Sequence, residues 1–153
     1  MKLILAILLS VVFTFTSRAA ELDFGDQASG TLTVKAWKAL DEKKYADAIT
    51  FANKCVELFE KQALEMQKEL KDFVDSANKD AVNKKWALND VGTCVYIIGQ
   101  ANEKQEKKKE AIESYKKLID KLGYAQCWDP QGWFWKPAEA AKERIAELEP
   151  AKK

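Results

Sequence analysis

Histidine is missing from this sequence of 153 residues. It is the commonest general base in enzymes and the commonest metal ligand, so its absence narrows both possibilities. A zinc site would need the scattered cysteines and carboxylates, and no pair of cysteines has CxxC spacing. Acid–base catalysis would fall to carboxylates such as Asp129, Glu139 and Glu143, but nothing in the sequence specifies a cleft between a carboxylate pair. We therefore expect no enzyme activity, no metal and no cofactor.

An excess of charge of one sign is also missing. The chain has 25 basic and 24 acidic residues, and the two signs are interspersed. Lys107 to Lys109, for example, lie between Glu106 and Glu110 and are typical of a solvated helix surface. Nucleic acids and anionic lipids select basic patches. We therefore expect neither as a partner.

Only one long apolar run is present, from Leu3 to Phe15. It follows Lys2 and precedes the small residues Ser17 and Ala19, a pattern typical of a secretory signal peptide. The run is shorter than the roughly 20 residues that a membrane-spanning helix needs, although an uncleaved anchor is the alternative. We expect cleavage after residue 19, a periplasmic or secreted bacterial protein, and no membrane insertion after cleavage.

Proline and glycine are scarce, with three and six residues, which favours long helices. Apolar residues recur at helical spacing without either breaker over residues 45–75, so the pattern predicts one overlong helix there. The alternative is two helices that break near Lys61 and Gln62. Residues 20–30 read as a leader before a first helix over residues 31–43, and Pro137 suits the first turn of a last helix over residues 137–148. No strand pattern is visible. We predict an all-α fold of about five helices, arranged as antiparallel hairpins within one domain over residues 31–149.

The strongest local pattern covers residues 95–122, which read as two amphipathic helices folded back on each other. The small residues Gly99 and Ala111 would let the two backbones approach closely. Ala36, Ala39, Tyr45, Ala48 and Ile49 repeat this pattern earlier in the chain. Both segments resemble the tetratricopeptide repeat, a helix–turn–helix unit of about 34 residues. The resemblance implies units over about residues 31–59 and 92–123, with residues 137–148 as a capping helix.

Members of this family bind ligands on the inner face of the first helix of each unit, and the resemblance carries that role to seven positions. They are Thr33, Trp37, Leu40, Tyr96, Gln100, Glu103 and Lys104. The basic clamp that some members use for a terminal carboxylate is absent here, so binding of a chaperone tail is not expected. Trp37 and Tyr96 could anchor an apolar peptide, or could instead be buried by the leader residues Leu22 and Phe24.

A compositionally distinct segment follows the second unit and reads AQCWDPQGWFWK over residues 125–136. It resembles a signature of small exported bacterial repeat proteins. Its tryptophans Trp128, Trp133 and Trp135 could form a platform that stacks on sugars or peptides, or a structural plug that covers the end of the overlong helix.

Three cysteines, at positions 55, 94 and 127, would give one disulfide and one leftover thiol in an oxidising compartment. Three pairings are open on the sequence alone. The tryptophan-rich segment is expected to emerge at the end of the bundle where the helix from Lys84 starts, which would bring Cys127 near Cys94. We therefore prefer a Cys94–Cys127 disulfide to Cys55–Cys94.

These observations predict an exported interaction module or scaffold that binds a protein or peptide of unknown identity. Two alternatives remain, a glycan-binding protein that uses the tryptophan cluster and a structural subunit that self-associates.

Overall fold

A computed structural model describes residues 22–149, so the predicted signal peptide lies outside the described residues. Within that range the chain forms six helices and one small two-stranded sheet, which confirms the predicted all-α class. The helices are α1 (Ser29–Asp41), α2 (Tyr45–Lys68), α3 (Lys79–Asn83), α4 (Trp86–Lys104), α5 (Lys108–Lys121) and α6 (Pro137–Leu148). The strands are β1 (Cys127–Asp129) and β2 (Trp133–Trp135).

Two helix hairpins, α1–α2 and α4–α5, are closed by the same turn. Lys43 and Glu106 each adopt a left-handed conformation, with φ of 60° and 62°. The next residue in each turn, Lys44 or Lys107, donates its backbone N–H to the carbonyl five positions earlier, at 2.8 and 2.9 Å. This is the Schellman arrangement, which satisfies the last carbonyls of a helix. The two helix hairpins therefore share the same turn, and the two turns are as far apart in the chain as the two copies of the small-residue pattern at Ala36 and Gly99.

Helix α2 is continuous across Lys61 and Gln62, so the alternative of a break there is wrong. The helix ends at Lys68, however, seven residues before the predicted end. Beyond it, Asp72 and Asp75 accept hydrogen bonds from the backbone N–H groups of Phe73 and Ala77, at 2.7 and 3.0 Å. Such local bonds compete with helical ones, which explains why the apolar spacing does not continue as helix.

Helix α4 is the centre of the fold. It packs against α1, α2, α5 and α6, and its residues from Val91 to Ile97 are all buried. A helix that is buried around most of its circumference needs apolar or small residues on every face, as the sequence of α4 provides. At Gly99 the ring of Tyr115 lies so close that an added Cβ would be 2.3 Å from it. The small residue thus fixes the approach of α5, as the sequence suggests.

The strand pair β1–β2 is a correction to the sequence analysis, which predicts no strand. The two strands are antiparallel, and Cys127 pairs with Trp135, Trp128 with Phe134, and Asp129 with Trp133. Asp129 accepts backbone hydrogen bonds from Gln131 and Gly132 in the turn. Each strand has only three residues, too few to display an alternating pattern in the sequence.

The predicted disulfide between Cys94 and Cys127 is not formed, and all three cysteines are free thiols. Cys94 points into the core beside Cys55, and its sulfur is 3.3 Å from the Thr33 hydroxyl. Cys127 instead contacts Thr93 and the Asn89 carbonyl. Because neighbouring helix positions are about 100° apart around the axis, Thr93 faces the hairpin while Cys94 faces away from it.

Candidate functional site

A cleft of about 810 Å³ lies between α1, α4 and the β1–β2 hairpin. This volume is in the range of ordinary ligand sites. Aromatic rings contribute much of its wall, together with threonine, asparagine and glutamine side chains. The aromatic residues are Trp37, Trp86, Tyr96, Trp128, Phe134 and Trp135. We refer to this feature below as the aromatic cleft.

The aromatic cleft joins two sites that the sequence analysis treats separately. Trp37 and Tyr96 come from the predicted groove, and Trp135 comes from the predicted platform. Their ring centroids are 6.5 Å apart for Trp37 and Tyr96, 6.3 Å for Trp37 and Trp135, and 5.2 Å for Tyr96 and Trp135. Such tilted and edge-to-face contacts are the favoured geometry of aromatic pairs. The hairpin is thus fixed to the groove by a packed aromatic cluster.

One of the two alternatives for Trp37 and Tyr96 is burial by the leader residues Leu22 and Phe24, and Phe24 packs elsewhere. Its ring packs edge-to-face on Phe51 of α2, with centroids 5.5 Å apart. Trp135 takes the covering position instead. The groove is therefore narrowed from the hairpin side and remains a cleft.

Several apolar side chains on the rim of the aromatic cleft remain in contact with solvent. Val34 is 67% exposed, Trp128 is 45% exposed and Trp86 is 39% exposed. An exposed valine or tryptophan alone is ordinary, but three around one cavity form a patch that a partner could cover.

The three tryptophans of the predicted platform do not share one face. In the strand register Trp128 lies with Phe134, whereas Trp133 and Trp135 lie on the opposite face of the hairpin. Trp133 is 49% exposed but does not line the aromatic cleft, and Trp135 is half-buried against α1 and α4. In the hairpin, Trp135 therefore packs against α1 and α4, whereas Trp128 lines the cleft at its exposed rim.

The other groove positions divide into two groups. Leu40, Gln100 and Lys104 line a smaller depression with Trp37, and Gln100 also lines the aromatic cleft. Thr33 lines the cleft and donates its hydroxyl to the Ser29 carbonyl at 2.8 Å.

Glu103 is committed to contacts within the fold. It accepts a hydrogen bond from the buried Tyr115 hydroxyl at 3.1 Å and forms an ion pair with Arg144 of α6. Burial, followed by the nearby Glu103, raises the pKa of the Tyr115 hydroxyl. Glu103 therefore connects α4, α5 and α6. The family resemblance implies a different role for this residue, a contact with a ligand.

Asp90 is the residue of the site that the sequence analysis misses. It lines the aromatic cleft and accepts a hydrogen bond from the Ser29 hydroxyl at 2.5 Å. Burial raises the pKa of its carboxyl group, and the Ser29 bond opposes this only in part. The sequence does carry a signal for it, because Asp90 is the only charged residue between Lys85 and Glu103.

The side chain and backbone of Gln126 form hydrogen bonds that join three segments of the fold at the aromatic cleft. Gln126 lines the cleft, and its side chain bonds both the N–H and the carbonyl of Val74, at 2.8 and 2.9 Å. Its own backbone N–H donates to Asn89 at 2.9 Å. These bonds attach the segment after α2 and the start of the hairpin to α4.

Within residues 22–149 no group of three potential metal ligands occurs, and no helix there is long and apolar enough to span a membrane. Comparison of the chain with protein-family models, with curated proteins and with solved structures finds no match. The geometry of the aromatic cleft is therefore the basis for a functional argument.

Proposed function

We propose that this protein is an exported, non-catalytic interaction module that binds a segment of a protein partner in the aromatic cleft. The observation that carries the proposal is one cavity lined by six aromatic side chains, of which Trp86 and Trp128 are exposed on its rim together with Val34. Tryptophan and tyrosine dominate the binding energy of protein interfaces, because they remove large surfaces from water at low conformational cost. The resemblance of the two hairpins to tetratricopeptide repeats supports the same role. The signal peptide pattern supports a partner in the periplasm or outside the cell.

A photo-crosslinking experiment in the producing bacterium would test this proposal. A benzophenone amino acid replaces Val34 on the rim, and in a second protein it replaces Leu58, which is exposed on α2 and does not line the cleft. We expect a discrete adduct with one partner from position 34 and none of the same mass from position 58. Equal adducts from both positions would contradict the proposal.

Trp128 and Trp133 provide a matched pair of variants for the same assay. Both are about half exposed and belong to the same hairpin, but only Trp128 lines the aromatic cleft. Trp128→Ala should weaken partner binding by about 2 kcal/mol, roughly 30-fold, as for a tryptophan at an interface hot spot. Trp133→Ala should leave binding within about twofold of the unmodified protein. A similar loss in both variants would mean that the cleft is not the binding site.

Glycan binding is the second candidate, and the half-exposed Trp128 in a cleft that the polar residues Asp129 and Gln100 also line favours it. Titration with soluble cell-wall oligosaccharides, followed by tryptophan fluorescence, separates the two candidates. A saturable change that is lost in Trp128→Ala and kept in Trp133→Ala would support glycans. Self-association through the apolar rim is the third candidate, and a mass that rises with protein concentration in light scattering would support it.

A further inference from the structure

The charged side chains that line the aromatic cleft are all acidic. Among the described residues that line it, the ionisable acids are Asp90 and Asp129, and none is lysine or arginine. The chain as a whole has nearly equal numbers of basic and acidic residues, so this asymmetry is local. A cavity with carboxylates and no basic residue favours a positively charged occupant.

Asp90 is placed to act on such an occupant. One carboxylate oxygen accepts the Ser29 hydroxyl, and the other, which is open to solvent, has no hydrogen-bond donor or ion-pair partner from the protein within residues 22–149. Burial raises the pKa of this carboxyl group, as expected for an anion that lacks a neighbouring cation. A cation in the cleft would supply the missing charge.

The aromatic rings that line the cleft together with Asp90 can also attract a cation. The faces of tryptophan and tyrosine carry partial negative charge and bind ammonium and guanidinium groups, most strongly where water is excluded. One ring of the cleft already does so within the protein, since the Lys79 ammonium lies 4.4 Å from the ring centroid of Trp128. Lys79 itself does not line the cleft.

We propose that the group which enters the aromatic cleft is a basic side chain of the partner segment, a lysine or arginine, held against the aromatic rings with Asp90 as its counter-ion. This inference rests on the proposed function and specifies the chemistry of the segment. It also distinguishes this cleft from a purely apolar docking site, since such a site would select a leucine or phenylalanine side chain.

Side-chain mimics test the proposal directly. The probes are butylammonium for lysine, butylguanidinium for arginine, and butanol and butyrate as neutral and anionic controls of similar size. Indole N–H resonances of the full-length protein report binding, with Trp128 assigned from a Trp128→Phe variant. We expect both cations to shift the resonances of the cleft tryptophans with dissociation constants at least about tenfold below that of butanol. Butyrate should produce no saturable shift.

Asp90→Asn identifies the counter-ion without removing the fold. The amide oxygen can still accept the Ser29 hydroxyl, and the buried charge is lost. Because the folded-state pKa of Asp90 is raised, its ionisation destabilises the folded protein once the pH exceeds the unfolded-state pKa. At pH 7 the variant should therefore unfold at an equal or higher urea concentration while its affinity for both cations falls about tenfold. Asp120→Asn, at an exposed position of α5 outside the cleft, makes the same charge change and should leave the affinity unchanged.

The outcomes distinguish the two proposals. If butanol binds as tightly as the cations, or if Asp90→Asn and Asp120→Asn change the affinity alike, the proposal of a basic side chain is wrong. The proposed interaction module is then judged by the crosslinking result alone. The same holds if no probe shifts a cleft resonance while position 34 still forms its partner adduct. If the cations bind through Asp90 but position 34 yields no adduct, the cation site stands and the proposed partner function fails.

Discussion

Substituting alanine for Gly99 tests the closest contact between α4 and α5. An ideal Cβ at this position would lie 2.3, 2.7 and 2.8 Å from three ring atoms of Tyr115. The ring cannot easily withdraw, because Tyr115 is fully buried, packs on Tyr96 with centroids 5.7 Å apart, and donates its hydroxyl to Glu103. Overpacking of a core costs about 1–3 kcal/mol, and contacts this short place Gly99→Ala at the upper end.

Helix propensity acts in the opposite direction. Alanine is favoured over glycine within a helix by about 1 kcal/mol. The expected net result is a loss of about 2 kcal/mol in the free energy of unfolding. Urea unfolding followed by circular dichroism at 222 nm, which reports helix content, measures this difference between the variant and the unmodified protein.

Two controls separate steric overlap from any general effect of the substitution. Gly30→Ala lies near the start of α1, where the nearest atom to an added Cβ is Asp90 Oδ2 at 3.9 Å, so it should stabilise by about 0.5 kcal/mol. In a Tyr115→Leu background the clash is removed, and Gly99→Ala should change from destabilising to stabilising by about 1 kcal/mol. Unchanged stability of Gly99→Ala, or an equal loss in the Tyr115→Leu background, would refute the reasoning.

Three further predictions concern the supports of the fold. Gln126→Ala should cost about 2–3 kcal/mol, because it leaves both backbone groups of Val74 without their partner, and limited proteolysis should then cut the segment after α2 faster. Lys43→Gly and Glu106→Gly should each raise the free energy of unfolding by about 0.5–1 kcal/mol in urea titrations, because glycine adopts the left-handed conformation of the turn without strain. A lower free energy of unfolding in either variant would mean that the contacts of the lysine or glutamate side chain matter more than the backbone strain. Burial raises the pKa of the Cys94 thiol, and it raises the pKa of the Cys127 thiol to about 12. Ellman's reagent should therefore react slowly with the native protein at pH 8 and should count three thiols after unfolding. A count below three would reveal a disulfide.

The helical hairpins could be predicted from the sequence because they depend on local signals. Apolar spacing gives both pairs, and the last helix begins at Pro137 and ends at residue 148 as predicted. The end of α2 could not be predicted from apolar spacing, because Phe73 continues the periodicity while Asp72 and Asp75 accept hydrogen bonds from the backbone N–H groups of Phe73 and Ala77. The hydrogen bonds of short polar side chains decided that boundary.

From the sequence, residues of the candidate site are proposed in two separate parts, the groove and the tryptophan platform, and the sequence could not join them. Trp37 and Tyr96 follow from the inner-face positions of the hairpins, and the sequence shows Trp135 as part of an aromatic cluster. Their contact depends on a short hairpin whose register no local pattern reveals. Asp90 was missed because helical periodicity describes apolar faces, whereas its significance comes from a cleft that aromatic rings line and to whose lining no lysine or arginine contributes.

The packing at Gly99 bears on the aromatic cleft as well as on stability. Tyr115 occupies the space that the missing Cβ of Gly99 leaves, and its ring packs on Tyr96. Tyr96 in turn contacts the rings of Trp37 and Trp135 on the cleft side. A shift of Tyr115 would therefore pass through one ring to the wall of the cleft, since close-packed aromatic groups have no free volume in which to absorb it. The α4–α5 pair thus supports the cleft from behind, and a substitution at Gly99 should alter binding as well as unfolding.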